Sequence, residues 1–345
     1  MLRQVRIALL ALLLASGLVA TTGMAEAKIK VMTTLPHLSY LVKVVGGDLV
    51  ESQSLAVGMQ DPHYISPKPT MMKACREAGA LIEVGLQLEP WSEQVATGSG
   101  NPRIQRGQPG RIIASRGVRL LELPAEVSRA WGDIHPYGNP HIWLDPLNLK
   151  QECRNIADGL AQVSPSGAAT FHKNASAFYH KIDVALFGET LVNLVGGDKL
   201  TRLAYDRQLY DFLKSNNYKG KALMNYLGGW LKQVQPIRGR KVVTYHKSWV
   251  YFGDRFSLWL RGEVEEKPGI APGPQHQRAL IERIKSEGIR SIIVDNFYDP
   301  AVPDYIARET GAKVVRVPVE VGGESGVNTY FDLITLIIRR LLAVG

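Results

Sequence analysis

The feature that most limits what this chain can become is an alternation that occurs twice. From Lys28 onward, short apolar runs of strand character take turns with amphipathic runs of helical period. Such a rhythm builds βα units on mostly parallel sheets. In the first half the strand candidates are 29–35, 50–57 and 80–85, with shorter β-prone stretches at 111–115 and 118–123. The helical candidates between and after them are 38–45, 69–77 and 147–163. In the second half, strands are expected at 242–246, 257–264, 291–296 and 313–319. Helices are expected there at 248–256, 275–287, 303–310 and from Thr329 to the end.

Between the halves lies a long helical tract, 165–195, with apolar residues Phe171, Ala175, Phe178, Ile182, Leu186 and Val192 at three- or four-residue steps and one six-residue gap. At about 1.5 Å per residue one helix over this tract would reach roughly 45 Å. A mixed segment, 197–230, follows, with helical stretches expected at 209–214 and 221–227. The expected architecture is α/β: a first lobe over 28–164, a connecting helix over 165–196 and a second lobe over 197–345 that includes the extended segment. The natural ligand site is the cleft between lobes.

Composition supports a packed core and narrows the function. The chain has 345 residues, of which 45% are hydrophobic and 21% charged, and this excludes global disorder. The formal charge of +9 is scattered, and its densest groups are Arg238-Gly239-Arg240-Lys241 and Arg339-Arg340. A nucleic-acid binder gathers such charge on one face or stripe, so that class is not indicated. Two cysteines, Cys75 and Cys153, make neither a disulfide framework nor a cysteine metal knuckle.

Residues 1–27 read as an export signal to be cleaved. Arg3 and Arg6 give a positive start, 7–14 is unbroken apolar chain, and Ala25-Glu26-Ala27 has the small-x-small form of a cleavage site. The strongly apolar part ends near Ala20, short of the roughly 20 residues of a comfortable membrane span. The first cysteine is Cys75, far from that site, so no lipid anchor is expected. The mature chain is thus expected to be exported and soluble. An oxidising compartment would allow Cys75 and Cys153 to pair, and two separate buried thiols are equally compatible with the sequence.

Open α/β sheets bind ligands beyond the carboxyl ends of their strands. Four residues fall there. His246 ends Val-Val-Thr-Tyr-His and Asp295 ends Ile-Ile-Val-Asp; His63 lies in Asp61-Pro62-His63-Tyr64, past the second strand; His141 lies in Asn139-Pro140-His141-Ile142-Trp143. Their separations are too long for any local metal motif, so only a fold could assemble them. Three imidazoles and a carboxylate make a closed tetrahedral set suited to Zn²⁺. Taken singly, each histidine reads more readily as an ordinary surface or hydrogen-bonded residue, and Asp295 as a strand-end turn acid or helix cap.

The ordered set Asp-Pro-His-Tyr (61–64), Leu-Glu-Pro-Trp (88–91), Asn-Pro-His-Ile-Trp-Leu-Asp-Pro (139–146), Tyr-His-Lys-Ser-Trp-Val-Tyr-Phe (245–252), Ile-Ile-Val-Asp (292–295) and Glu-Thr-Gly-Ala (309–312) resembles the metal-specific solute-binding proteins of zinc and manganese ABC importers. The likeness spans essentially the whole mature chain. It implies two α/β lobes linked by a rigid helix, with one metal ion between them held by His63, His141, His246 and Asp295. It also implies a periplasmic, monomeric binding protein, not an enzyme, that delivers Zn²⁺ to an ABC permease in the inner membrane. Mn²⁺ or Fe²⁺ on the same scaffold is the alternative. A secreted zinc hydrolase with Asp295 as general base is a more distant one, because the chain lacks both His-Glu-x-x-His and a nucleophile elbow.

The chain departs from the family in three respects. The interval between the second and third ligands is long, and 197–230 accounts for it. The histidine- and acid-rich loop of many zinc members is missing, with only His135 in the comparable region. Asn139 stands where many members have Asp. Among the other histidines, His135 and His37 are auxiliary candidates, His37 reading more readily as a helix-terminus hydrogen-bonding residue. His172, His180 and His276 read as surface residues, and Trp249 and Tyr251 as lobe packing.

Overall fold

Strands flanked by helices on both faces must bury both of their own faces, and the central strands here do so. The computed structural model describes residues 27–124, 135–267 and 269–344. The export signal expected over 1–27 therefore lies outside the described residues, save its last. In the first lobe the chain runs β1 (Ile29–Thr33), α1 (Pro36–Gly46), β2 (Val50–Ser54), α2 (Pro69–Cys75), β3 (Ala80–Glu83), α3 (Trp91–Ser99), β4 (Arg111–Ile113) and α4 (Pro146–Val163). The sheet order is β2-β1-β3-β4, and every pair is parallel. Ala80, Leu81 and Ile82 of inner β3 are fully buried, whereas edge strand β2 alternates between buried and open positions.

The long tract folds as α5 (Ala168–Phe187) and α6 (Glu189–Val195), preceded by a 3₁₀ turn, Pro165–Gly167. The single long helix expected over 165–195 is thus broken at Gly188, within the six-residue gap of the apolar pattern. Gly188 has φ +86°, and a Cβ there would stand 2.5 Å from the Cα of Gly228, whose N–H donates to Phe187 O at 2.8 Å. The chain must bend at this position to let the Gly228 backbone approach.

The extended segment gives α7 (Gly197–Tyr205), α8 (Leu209–Ser215), the strand pair β5 (Asn217–Tyr218) and β6 (Lys221–Ala222), and α9 (Gly229–Gln233). Residues 221–227, expected to be helical, instead form the return strand of a two-residue hairpin and a 3₁₀ turn, Leu223–Tyr226. Lys219 and Gly220 at the tip both have positive φ, the backbone a tight hairpin needs.

The second lobe follows with β7 (Lys241–Thr244), α10 (Val250–Phe256), β8 (Trp259–Glu263), α11 (Pro274–Glu287), β9 (Ser291–Asp295), α12 (Ala301–Thr310), β10 (Lys313–Val317) and α13 (Tyr330–Ala343). Its sheet order is β10-β9-β7-β8, again all parallel, and β9 is buried along its whole length. Residues 118–123, read as β-prone, join no strand. Their backbone serves the interlobe seam: Leu121 N–H donates to the Tyr251 hydroxyl at 3.1 Å, and Leu121 O accepts from Asn139 N–H at 2.9 Å. Cys75 and Cys153 are two separate buried thiols, so the disulfide alternative is not realised.

Helix α5 packs along α1 and α4 of the first lobe and against α9 on the other side. One continuous cluster of buried apolar side chains runs from Val31 through Phe171, Phe178 and Leu186 to Trp249, Tyr330 and Leu341. The lobes therefore share a core, and their strand ends face each other across a fixed seam. Gly188→Ala tests the bend at the end of α5. The added methyl meets backbone that cannot yield, so the variant should lose about 1–3 kcal/mol in a denaturant unfolding titration.

Candidate metal centre

His63, His141 and His246 converge. Ring nitrogens of the three lie within 4.8 Å of one another, and all three side chains are buried. Ring centroids are 5.1 Å apart for His63 and His141, 5.2 Å for His63 and His246, and 5.4 Å for His141 and His246. Two come from the first lobe and one from the second, so the cluster spans the seam.

Each ring is aimed by an acceptor on its Nδ1. Asp61 Oδ1 accepts the backbone N–H of His63 at 3.0 Å and stands 2.7 Å from its Nδ1. Asn139 Oδ1 repeats this arrangement on His141, at 3.0 Å from both the backbone N–H and Nδ1. In both turns a proline separates the two residues, and a short side chain folds back on the backbone two positions ahead. Trp91 holds the first turn from below, its indole N–H donating to Pro62 O at 2.8 Å. His246, just past β7, has Nδ1 at 2.6 Å from Glu265 Oε2. With Nδ1–H committed to an acceptor, Nε2 is left as a lone pair facing the centre.

The Asn139 side chain does more than aim His141. Its amide donates to Lys247 O at 2.6 Å, across the seam and beside His246, and to Glu122 Oε2 at 2.9 Å. An aspartate could accept from His141 but could not make either donation.

Asp295 closes β9, 1% exposed, outside the group of three ring nitrogens. Its Oδ2 accepts from Ser248 Oγ at 2.8 Å and its Oδ1 from Trp249 Nε1 at 2.7 Å. Trp249, expected to be packing, thus also holds a candidate ligand. Tyr251 donates to Asn139 O at 2.8 Å and ties the lobes together. His135 reaches the cluster too, with Nε2 at 3.2 Å from His63 Nε2. His37 does not: it lies in a separate buried cluster between Glu320 and Glu152. His172 and His180 are exposed, and half-buried His276 bonds to Glu263 O.

The electrostatics favour neutral rings at His141 and His135 and pull His246 the other way. Burial, then the neighbouring His63 and His246, hold His141 well below its ordinary value, and the same causes push His135 down to about 3. Burial alone would lower His246 as well, but the Glu265 carboxylate outweighs it and the ring is raised. Burial lifts the Asp295 carboxyl to about 6 against the donors Ser248 and Trp249 and the nearby His246. Three buried rings with inward lone pairs and a carboxylate at their edge have the chemistry of a cation site.

The sequence reading missed Asp61, Asn139 and Glu265 as orienting groups. The first two had a signal, since the same Asp/Asn-Pro-His spelling occurs at both turns. Glu265 had none, because it meets His246 only when Val264 and Glu265 run alongside Thr244 and Tyr245.

The chain matches the family model described as zinc-uptake complex component A, periplasmic, over residues 31–185 and 205–344. The unmatched stretch, 186–204, takes in the end of α5, all of α6 and most of α7. Among similar proteins, the high-affinity zinc uptake system protein ZnuA of Paracoccus denitrificans is 23% identical, and the alignment covers 96% of each chain. The iron-binding protein YfeA of Yersinia pestis is 23% identical over 94% of this chain and 91% of its own. The manganese ABC transporter substrate-binding lipoprotein PsaA of Streptococcus pneumoniae is 22% identical over 97% and 94%. A crystal structure of ZnuA superposes with a TM-score of 0.68 at 22% identity, covering 92% of this chain and 99% of that one. The binding protein FpvC of Pseudomonas aeruginosa in complex with Mn²⁺ gives 0.67 at 19%, covering 92% and 100%. These structural likenesses carry the fold.

Glu265→Gln tests the aiming of His246. The amide keeps the shape and can still accept from Nδ1, but the charge that makes the ring a stronger donor is gone. Metal affinity should fall about 10- to 100-fold in a chelator-competition titration, with the circular dichroism spectrum unchanged.

Proposed function

Since the chain belongs to the family of periplasmic zinc-uptake component A proteins, we propose that it captures a divalent metal ion, zinc first among them, outside the inner membrane and hands it to an ABC import permease. The supporting observation is the convergence of His63, His141 and His246, each with its Nδ1 against an acceptor so that Nε2 is the nitrogen left for an ion. Members of this family are solute-binding transport proteins, and this reading gives the chain no catalytic role. Export through the 1–27 signal without a lipid anchor is part of the same proposal. Among the described residues no helix is long and apolar enough to cross a membrane.

An ion with bonds of about 2.0–2.1 Å in a tetrahedron holds its ligand atoms about 3.4 Å apart. Ring nitrogens already within 4.8 Å need only small shifts to close on it. The fourth position goes to Asp295 in this reading, with His135 auxiliary. A dication in a buried site needs negative charge near it, and Asp295 supplies that where His135 does not. Each of its oxygens has two lone pairs, so coordination is compatible with the bonds from Ser248 and Trp249. Three imidazoles favour zinc over manganese. The names of the similar manganese and iron proteins support the second reading, in which one of those metals is the cargo.

Elemental analysis of protein purified without added metal, followed by competition among zinc, manganese and iron, decides between them. Zinc should be retained and should win. Asp295→Ala should cost about tenfold or more in zinc affinity, and His135→Ala less than that. A preference for manganese, or a larger loss at His135, overturns the corresponding part of the proposal.

Affinity should also depend on pH with a definite sign. A ring must shed its Nε2 proton to bind, so protons compete with the metal. His141, held low, offers little such competition, and His246, raised by Glu265, offers more. Affinity should therefore be greatest at alkaline pH and decline on acidification, with the fall beginning above the ordinary imidazole value of about 6.5. Isothermal titration between about pH 8 and about pH 5 checks this, and a flat profile contradicts histidine ligation.

A further inference from the structure

His37 lies outside the metal centre, yet two buried carboxylates surround it. It is the second residue of α1, whose N-cap, Leu35, provides no side-chain cap and whose first residue, Pro36, has no N–H. The first free amide of that helix is therefore His37 N–H. It donates to Glu320 Oε2 at 3.0 Å, and the other oxygen of the same carboxylate lies 2.8 Å from His37 Nδ1. Glu320 belongs to the second lobe, three residues past β10. A carboxylate from one lobe thus caps the positive end of a helix in the other. On the far side of the ring, Glu152 of α4 has Oε2 at 3.2 Å from Nε2, near enough for charge attraction though misaligned for a hydrogen bond. All three side chains are sealed from water.

This clasp leads directly to a metal ligand. The His37 ring stacks on Trp143, centroids 4.8 Å apart and planes at 14°, and Trp143 in turn lies 5.5 Å from the His141 ring. Trp143 sits in the 3₁₀ turn that immediately follows His141. The second lobe grips that turn again beside Glu320: Trp143 Nε1–H donates to Val319 O at 2.7 Å, and Tyr330 OH to Trp143 O at 2.6 Å. The position of His141 is therefore fixed from the opposite lobe, by a segment that supplies no candidate ligand.

The geometry points to the His37–Glu320 pair as a positioning unit that, through Trp143, makes the hold of His141 on the ion depend on how the two lobes are seated. This rests on the metal-binding reading above. The pair touches no ion, so it should act on how long the metal stays. A departing ion needs its ligands to separate, and the clasp resists that separation.

The test is zinc dissociation from the exported chain, followed by stopped-flow mixing with excess chelator, for wild type, Glu320→Gln, His37→Gln and the double variant. Glu320→Gln keeps the shape and removes the charge, so folding is expected to survive where Glu320→Ala fails. Each single variant should release zinc about tenfold faster, with association little changed. The double variant, in which two amides can bond neutrally, should release it more slowly than the product of the single effects predicts. Wild-type release rates in both single variants, accompanied only by lower melting temperatures, would reduce the clasp to a structural contact. Strictly multiplicative effects would overturn the pair as a unit. If wild type binds no zinc, manganese or iron, the metal-binding reading has failed instead, before any variant is made.

Discussion

A histidine offers a cation a lone pair only when the proton of its ring is kept elsewhere, and that requirement organises everything around this site. Asp61, Asn139 and Glu265 each stand 2.6–3.0 Å from an Nδ1, so all three rings turn Nε2 inward. Left to themselves, buried imidazoles would exchange tautomers and rotamers, and each would have to be ordered when the ion arrived. Here that ordering is done during folding. The anchors come from local turns in two cases and from a neighbouring strand end in the third, so the cation site is a direct product of the chain's βα architecture.

Holding the rings is one problem and holding the charge is another. A dication among buried neutral rings would be poorly compensated. In the proposed site Asp295 supplies charge directly, and Asp61 and Glu265 supply it one bond further out, where it also makes the rings better donors. The same carboxylates raise His246 while burial and the neighbouring rings keep His141 low. The apo site therefore binds its protons unevenly. Acid acts on the second-lobe ring before it acts on His141 across the seam.

Much of this was legible in the chain before folding. The βα rhythm carried both parallel sheets, because buried strands need continuous apolar residues and their helices need a 3.6-residue stripe, and both leave marks in the sequence. Four candidate ligands were legible because strand ends are where such sheets bind, and the fold brings the three histidines among them together. What stayed hidden depends on contacts distant in sequence. The Gly188 bend exists because Gly228 comes against it, and 118–123 forgoes a sheet because Tyr251 and Asn139 take its backbone bonds. Glu265 and Glu320 look like ordinary surface acids until the fold places them on His246 and His37. His37 read as a helix-end residue, which it is, but its partner lies in the other lobe.

The seam between the lobes limits how the ion can leave. Arg255 of α10 makes two bonds at 2.8 Å to Asp145, ahead of α4, and both residues are buried. Asn139 bonds to Lys247 O, Tyr251 to Asn139 O, Trp143 to Val319 O, and Glu320 to His37. A wide hinge opening would break all of these together and strand buried charges, each worth several kcal/mol when its partner is removed, while also splitting a shared apolar core. The turn that carries His63 also meets the second lobe. There half-buried Asp61 accepts a bond from the Tyr298 hydroxyl at 3.3 Å, and the Tyr64 ring lies close against Gly269. His63 rides on that turn, next to His135. All three rings thus ride on segments that touch the opposite lobe, and none is free of the seam.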